Sequence, residues 1–174
     1  PYSTAEMGGG NQITYHRRPV IAAKDVVAQS YVKVGSGANM MGYYMYTGGT
    51  NPVGKISTYQ SSGPRISYDY QAPIREFGTL GTVMQETKKY NYFMNDFGTA
   101  LAPAVAYLPT TNQDRDNLQW AVRLNGNTGY LFCSNYLYKH SRKDYKNVQF
   151  SIKLKDETIR IPRQKVTVKN GTYF

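Results

Sequence analysis

The chain has 174 residues, 40% of them hydrophobic, and carries 21 Lys and Arg against 11 Asp and Glu, a net charge of +10. That length holds one domain or two small ones with a real core, and no apolar run approaches the roughly 18 residues of a membrane helix. The single cysteine, Cys133, excludes an internal disulfide, and His16 and His140 lie far from any second ligand at metal spacing, so no metal or cofactor is expected.

In chain order, Pro1 to Ala5 is a short strand candidate, and Glu6 follows it immediately before Gly8-Gly9-Gly10. The absence of an initiator methionine or leader at Pro1 fits a chain cut from something longer. Residues 22 to 34 predict a helix with Val26, Val27, Ser30, Tyr31 and Val34 on or near one face, stopped by Gly35 and Gly37. Met40 to Tyr46 is a nearly continuous apolar and aromatic run, which predicts a strand covered on both faces. A loop rich in Gly, Ser, Pro and Tyr runs from Thr47 to about Glu76; loops of that length are usually functional or disordered. Leu80, Val83, Thr87, Tyr90, Met94 and Phe97 then recur at spacings of three and four, predicting a helix over residues 79 to 96 that Gly98 closes.

The pattern changes after Leu101-Ala102-Pro103. Short alternating strands are predicted over 118–125, 129–135, 148–154, 158–161 and 165–168, with hairpin turns suited to Asn125-Gly126 and Asn170-Gly171. The expected organisation is therefore two β/α units in residues 1–103 and an antiparallel β-domain in 104–174.

Several residues stand out chemically. Glu6 beside three glycines is either a surface carboxylate in a tail or a strand-end group that a ligand can approach closely. Tyr44 ends a tyrosine-rich strand, sharing a face with Tyr46, and Tyr68 and Tyr70 flank Asp69 in the long loop. A phenol offers a flat surface to sugar C–H groups and a hydroxyl to their oxygens, though tyrosine is equally a good strand former that simply packs. Asp69 and Glu76 are further loop carboxylates open to a structural reading. Gly48-Gly49-Thr50-Asn51 lacks the Lys-Ser/Thr ending of a phosphate loop, and Gly35-Ser36-Gly37 follows a helix instead of opening one, so neither reads as a nucleotide site. From Lys139 to Lys169 there are ten Lys or Arg against three acids, mostly alternating with apolar residues; this reads as the wet face of half-buried strands and not as a nucleic-acid interface.

Taken together, Glu6-Met7-Gly8-Gly9-Gly10, Tyr15-His16-Arg17-Arg18-Pro19, Gly42-Tyr43-Tyr44-Met45-Tyr46, Gly48-Gly49-Thr50-Asn51-Pro52 and Ser67-Tyr68-Asp69-Tyr70-Gln71-Ala72-Pro73-Ile74 resemble the end of the catalytic barrel of glycoside hydrolase family 35, the β-galactosidases. Trp120-Ala121-Val122-Arg123 and Asn170-Gly171-Thr172-Tyr173-Phe174 resemble the β-rich segment after that barrel. Gly8 stands where some members place a tyrosine, and Thr47 where a histidine is frequent.

The resemblance implies the last two β/α units of a (β/α)8 TIM barrel followed by part of an antiparallel β-domain. It also implies retaining hydrolysis of terminal, non-reducing β-D-galactosyl units, the substrate being a β-galactoside or a galactose-containing oligosaccharide or polysaccharide. In that frame Glu6 is the nucleophile, and Tyr44, Tyr68 and Tyr70 line the sugar pocket. The acid/base carboxyl, expected about 5–5.5 Å from the nucleophile, belongs to an earlier barrel strand, so the chain alone is expected to be inactive. Family analogy suggests a secreted or periplasmic setting. Two other readings are a non-catalytic carbohydrate-binding module and a basic nucleic-acid-binding β-domain in 104–174.

Overall fold

The computed structural model describes residues 2–13, 17–56 and 66–174; Tyr15 and His16 of the basic loop, and residues 57–65 of the long loop, lie outside the described residues. Among those described, two α-helices and several small sheets form a mixed α/β arrangement in which no barrel closes. The chain divides into two compact units. One comprises Tyr2–Val27 and Met40–Asp96, the other Ala28–Asn39 and Phe97–Phe174.

The first strand, β1 (Tyr2–Gly8), runs beyond the expected end at Ala5 and takes Glu6 into the strand. Alternation then puts Met7 into the core and leaves Glu6 exposed. Helix α1 (Ala23–Gly35) buries Val26, Val27, Ser30 and Val34, the expected face. Its start is capped without a Ser or Thr: the Asp25 carboxylate accepts the backbone N–H of Ala22 at 2.8 Å, closing the first turn from inside.

Strand β2 (Ala38–Tyr44) starts and ends two residues earlier than the apolar run suggested. Nor is it covered on both faces, since Asn39, Met40 and Tyr44 are exposed. Among the described strands it pairs with β1. Ala5 lies against Gly42, and Gly9 N–H donates to Tyr44 O at 3.4 Å. These contacts advance together along both strands, the sense of a parallel pair.

Within the long loop, β3 (Gly49–Thr50) pairs antiparallel with β4 (Ser67–Tyr68), Gly49 opposite Tyr68. Helix α2 (Thr82–Leu101) starts after Leu80, which is exposed, and passes through Gly98 to Leu101. Gly98 therefore does not close it. A mid-helix glycine costs only about 1 kcal/mol, whereas Pro103 has no N–H to continue the ladder and restricts the residue before it. Val83, Thr87 and Tyr90 form the buried stripe, while Phe97 is exposed. Within the first unit, Tyr90 Oη donates to Met41 Sδ at 3.5 Å, and Tyr46 Oη donates to Met84 Sδ at 3.3 Å while accepting Asn91 Nδ2 at 3.3 Å, so α2 is tied to β2 and the residues just after it.

In the β-rich unit, β5 (Val105–Tyr107), β6 (Gln119–Asn125) and β7 (Thr128–Ser134) make one antiparallel sheet, and β8 (Tyr145–Lys153) with β9 (Thr158–Val168) make another. The β6–β7 hairpin turns at Gly126, φ +60°, as the Asn-Gly pair predicted. The two segments expected over 158–161 and 165–168 are one strand, β9. Its ladder with β8 is irregular around Pro162, where no N–H is available; the Gln149 amide fills the gap by donating to the carbonyls of Pro162 and Arg163 at 3.0 and 3.1 Å. Val122, Ile152 and Leu154 pack together between the sheets, and Cys133 packs with Phe150 and Val168. Trp120 joins both clusters, its ring 5.1 Å from that of Phe150.

Burial pushes the Cys133 thiol up to about 12, and only the thiolate is a competent nucleophile. Iodoacetamide at pH 8 is therefore expected to leave Cys133 largely unmodified in the folded protein and to label it fully in denaturant. Rapid stoichiometric labelling of the folded chain would contradict this placement.

Candidate active site

Three backbone segments of the first unit converge: the end of β1, the end of β2, and the loop after β4. Glycine makes the convergence possible. A Cβ on Gly9 would stand 2.1 Å from Met45 O, and one on Gly10 would stand 2.2 Å from Tyr70 O. Any side chain at either position would push β1 away from its neighbours. The loop is laced to the end of β2 by Gly48 N–H donating to Ile74 O at 2.8 Å and Ile74 N–H donating to Tyr46 O at 3.0 Å.

The structure brings Tyr44, Tyr68 and Tyr70 together. Tyr44 and Tyr68 share a hydrogen bond between their hydroxyls at 2.5 Å. The Tyr70 ring stands edge-on to Tyr44 at 5.4 Å and tilted against Tyr68 at 5.5 Å. Tyr44 remains 36% exposed, enough to offer a ring surface to a ligand, and Tyr68 and Tyr70 are half-buried. Glu6 is exposed and lies within electrostatic reach of Tyr70, whose phenol is pushed up first by burial, then by Tyr44 and Glu6. A cavity of about 400 Å³ is lined by Tyr70 together with Asn11, Gln12, Ser67 and Gln71 among others; that is within the size range of small-ligand sites.

Tyr70 and Gln71 both adopt left-handed backbone, φ 59° and 54°, a conformation costing a non-glycine residue about 1–2 kcal/mol. Gln71 offsets that cost with its side chain, donating to Asn11 O at 3.0 Å and Pro19 O at 2.8 Å and accepting Ile21 N–H at 3.3 Å. Strain held in place by several contacts is common where a side chain must be aimed. The ring aimed here is Tyr70.

Asp69 and Glu76 have structural work. Asp69 takes Arg75 in an ion pair at 2.5 Å and accepts the backbone N–H groups of Glu76 and Gln71 at 2.9 and 3.2 Å. The Arg75 hydrogen bond holds its carboxyl below the usual range, against the opposing effect of burial. Glu76 accepts Thr50 Oγ1 at 2.7 Å and the Ser67 hydroxyl, clamping β3 to β4.

Because the folded pKa of Asp69 is depressed, its stabilisation is present above the unfolded carboxylate value, about 3.9, and lost as pH falls through the folded value. Asp69→Asn is expected to cost about 1–2 kcal/mol at pH 7, the partial exposure of both partners keeping the figure modest. That difference from the unsubstituted chain should shrink as pH falls below about 3.9 in urea titrations; a constant difference between pH 7 and pH 2 would contradict the ion pair.

Sequence reasoning assigned no role to Gln71, Arg75 or Thr50. Their partners are set by tertiary approach, such as the 60-residue separation between Gln71 and Asn11, and no local pattern announces them. Among the described residues no group of three metal-ligating side chains forms, and no helix is long and apolar enough to cross a membrane.

Comparison with models of protein families matches residues 1–94 to "Glycosyl hydrolases family 35", and the chain belongs to that family. Among curated proteins, it is 45% identical over 64 residues to "Beta-galactosidase 10" of Arabidopsis thaliana and 43% identical over 76 residues to "Beta-galactosidase 8" of the same plant. Those stretches cover 36% and 42% of this chain but 8% of either relative, so the match spans a small part of the relatives' length.

Proposed function

We propose that this chain is part of a retaining β-galactosidase, to which it contributes the nucleophile Glu6 and the galactose-lining tyrosines Tyr44, Tyr68 and Tyr70. The acid/base carboxyl comes from another segment of the parent enzyme. One observation carries this reading: a strand-end carboxylate and three mutually touching phenols collect at one edge of the first unit, with the Glu6 charge felt at the Tyr70 hydroxyl. Residues 1–103 then supply the last two β/α units of a TIM barrel, whose catalytic groups stand at the carboxyl ends of its strands, and 104–174 begin an antiparallel β-domain.

In the intact enzyme Glu6 attacks the anomeric carbon of a terminal β-D-galactosyl unit. The second carboxyl protonates the leaving oxygen as the glycosidic bond breaks, giving a galactosyl ester on Glu6. Water, deprotonated by that second group, then releases galactose with retained configuration. The tyrosines present ring surface to the sugar and hydroxyls to its oxygens. Asp69 and Glu76, engaged as described, are not available for the second role.

The 174-residue chain alone is accordingly expected to leave a chromogenic β-galactoside intact. Turnover above background, lost on Glu6→Gln, would mean that the chain holds both carboxyls. Galactose binding indifferent to Glu6→Gln would point instead to a non-catalytic sugar-binding module.

A further inference from the structure

We propose that a groove in the β-rich unit is a second sugar-binding site, specific for an acidic glycan chain. The groove has a volume of about 440 Å³ and runs between β6 and β8. Trp120 and Val122 line it on one side, Tyr107 and Leu108 on the rim, and Lys153 and Lys155 on the β8 side. Tyr107 and Leu108 are 57% and 52% exposed. Both lysines are exposed, and neither belongs to an ion pair among the described residues. The acids of the following turn, Asp156 and Glu157, are not among the groove's lining residues.

Charge and shape select the occupant. Lys153 and Lys155 are the charged side chains that line the groove, and no acid lines it, which favours an anion. A uronic acid unit presents an apolar C–H face, which suits Tyr107 and Trp120, and a carboxylate, which suits an ammonium group. The volume falls within the roughly 300–1,000 Å³ of small-ligand sites. A nucleic acid would call for a row of open ring faces and cations tracking successive phosphates; this groove offers one strongly exposed ring and two lysines. Glu6 is not among the groove's lining residues, and binding there does not depend on hydrolysis.

Trp120 is the only tryptophan in the chain, so its emission reports on the groove directly. Titrating the 174-residue chain with tetragalacturonate is expected to give a saturable change in that emission, weakened by salt. The uncharged tetramethyl ester should bind about tenfold less tightly, and Lys153→Ala with Lys155→Ala should weaken tetragalacturonate by a similar factor. Tyr107→Ala should weaken it about fivefold, including at high salt where the charge contribution is screened. Equal binding of the ester, an equal response to a DNA oligonucleotide of matched charge, or no saturable change would each overturn the proposal.

Discussion

Arg123→Ala is expected to lower the stability of the β-rich unit by about 3–5 kcal/mol, a large part of the roughly 5–15 kcal/mol typical of a whole domain. Arg123 sits in the middle of β6 and is 2% exposed. Its acceptors are carbonyls and one amide: Ala104 O at 3.0 and 3.1 Å, Ala38 O at 3.2 Å, Val34 O at 3.3 Å, Ala102 O at 3.4 Å, and Asn39 Oδ1 at 2.6 Å.

Two of these carbonyls come from the last turn of α1 and from just beyond the end of α2, where helix dipoles leave partial negative charge. The guanidinium thus gathers acceptors from several short stretches of chain within one unit. Val34 O also accepts the Gly37 N–H at 3.0 Å and Ala102 O the Asn39 amide at 2.8 Å, so the loss on removing Arg123 falls mainly at Ala104 O, Ala38 O and Asn39 Oδ1, each costing about 1–3 kcal/mol. Arg123→Lys should recover less than half of the loss, since a single ammonium cannot reach acceptors spread around a planar fork. Urea unfolding followed by Trp120 emission measures both; a loss below about 1 kcal/mol for Arg123→Ala would contradict the arrangement.

Glu6→Gln in the full-length parent is expected to reduce kcat on β-galactosides by on the order of 10⁴-fold or more while leaving folding intact. The amide keeps the size of the carboxylate but cannot attack the anomeric carbon. Glu6 is exposed two residues before the end of β1, whereas its neighbour Met7 is 1% exposed. Substitution at Glu6 therefore tests chemistry with little disturbance of packing, and a thermal melt should move by no more than a degree or two. Retained turnover would remove Glu6 from the mechanism; loss of turnover together with collapse of the melt would assign it a structural role.

What could be read from sequence followed the strength of local periodicity. The buried face of α1 was legible because Val26, Val27, Ser30 and Val34 repeat at helical spacing. The central stripe of α2 was legible for the same reason, but its ends were not: Leu80 and Phe97 fit the spacing yet are exposed, because burial is decided by what lies opposite. Strand β5 is three residues long and carries no periodic signal. Arg123 was invisible as a core residue, since an arginine in an alternating strand ordinarily points to water.

The candidate site divides similarly. Tyr44, Tyr68 and Tyr70 were singled out by motif resemblance, and their clustering depends on the short β3–β4 pairing and on the left-handed turn at Tyr70 and Gln71. Neither is written in hydrophobic pattern. Gly9 and Gly10 were recognised as permissive, but the strand ends they allow to meet emerged only in three dimensions.

The most direct test of the account is to trap the covalent intermediate in the full-length parent. A 2-fluoro galactoside with a good leaving group slows both steps through its oxocarbenium-like transition states, and slows release more than attack, so a galactosyl ester accumulates on the nucleophile. Peptide mass spectrometry is predicted to find that ester on Glu6. A label on any other carboxylate, or a first-released galactose of inverted configuration, would contradict it.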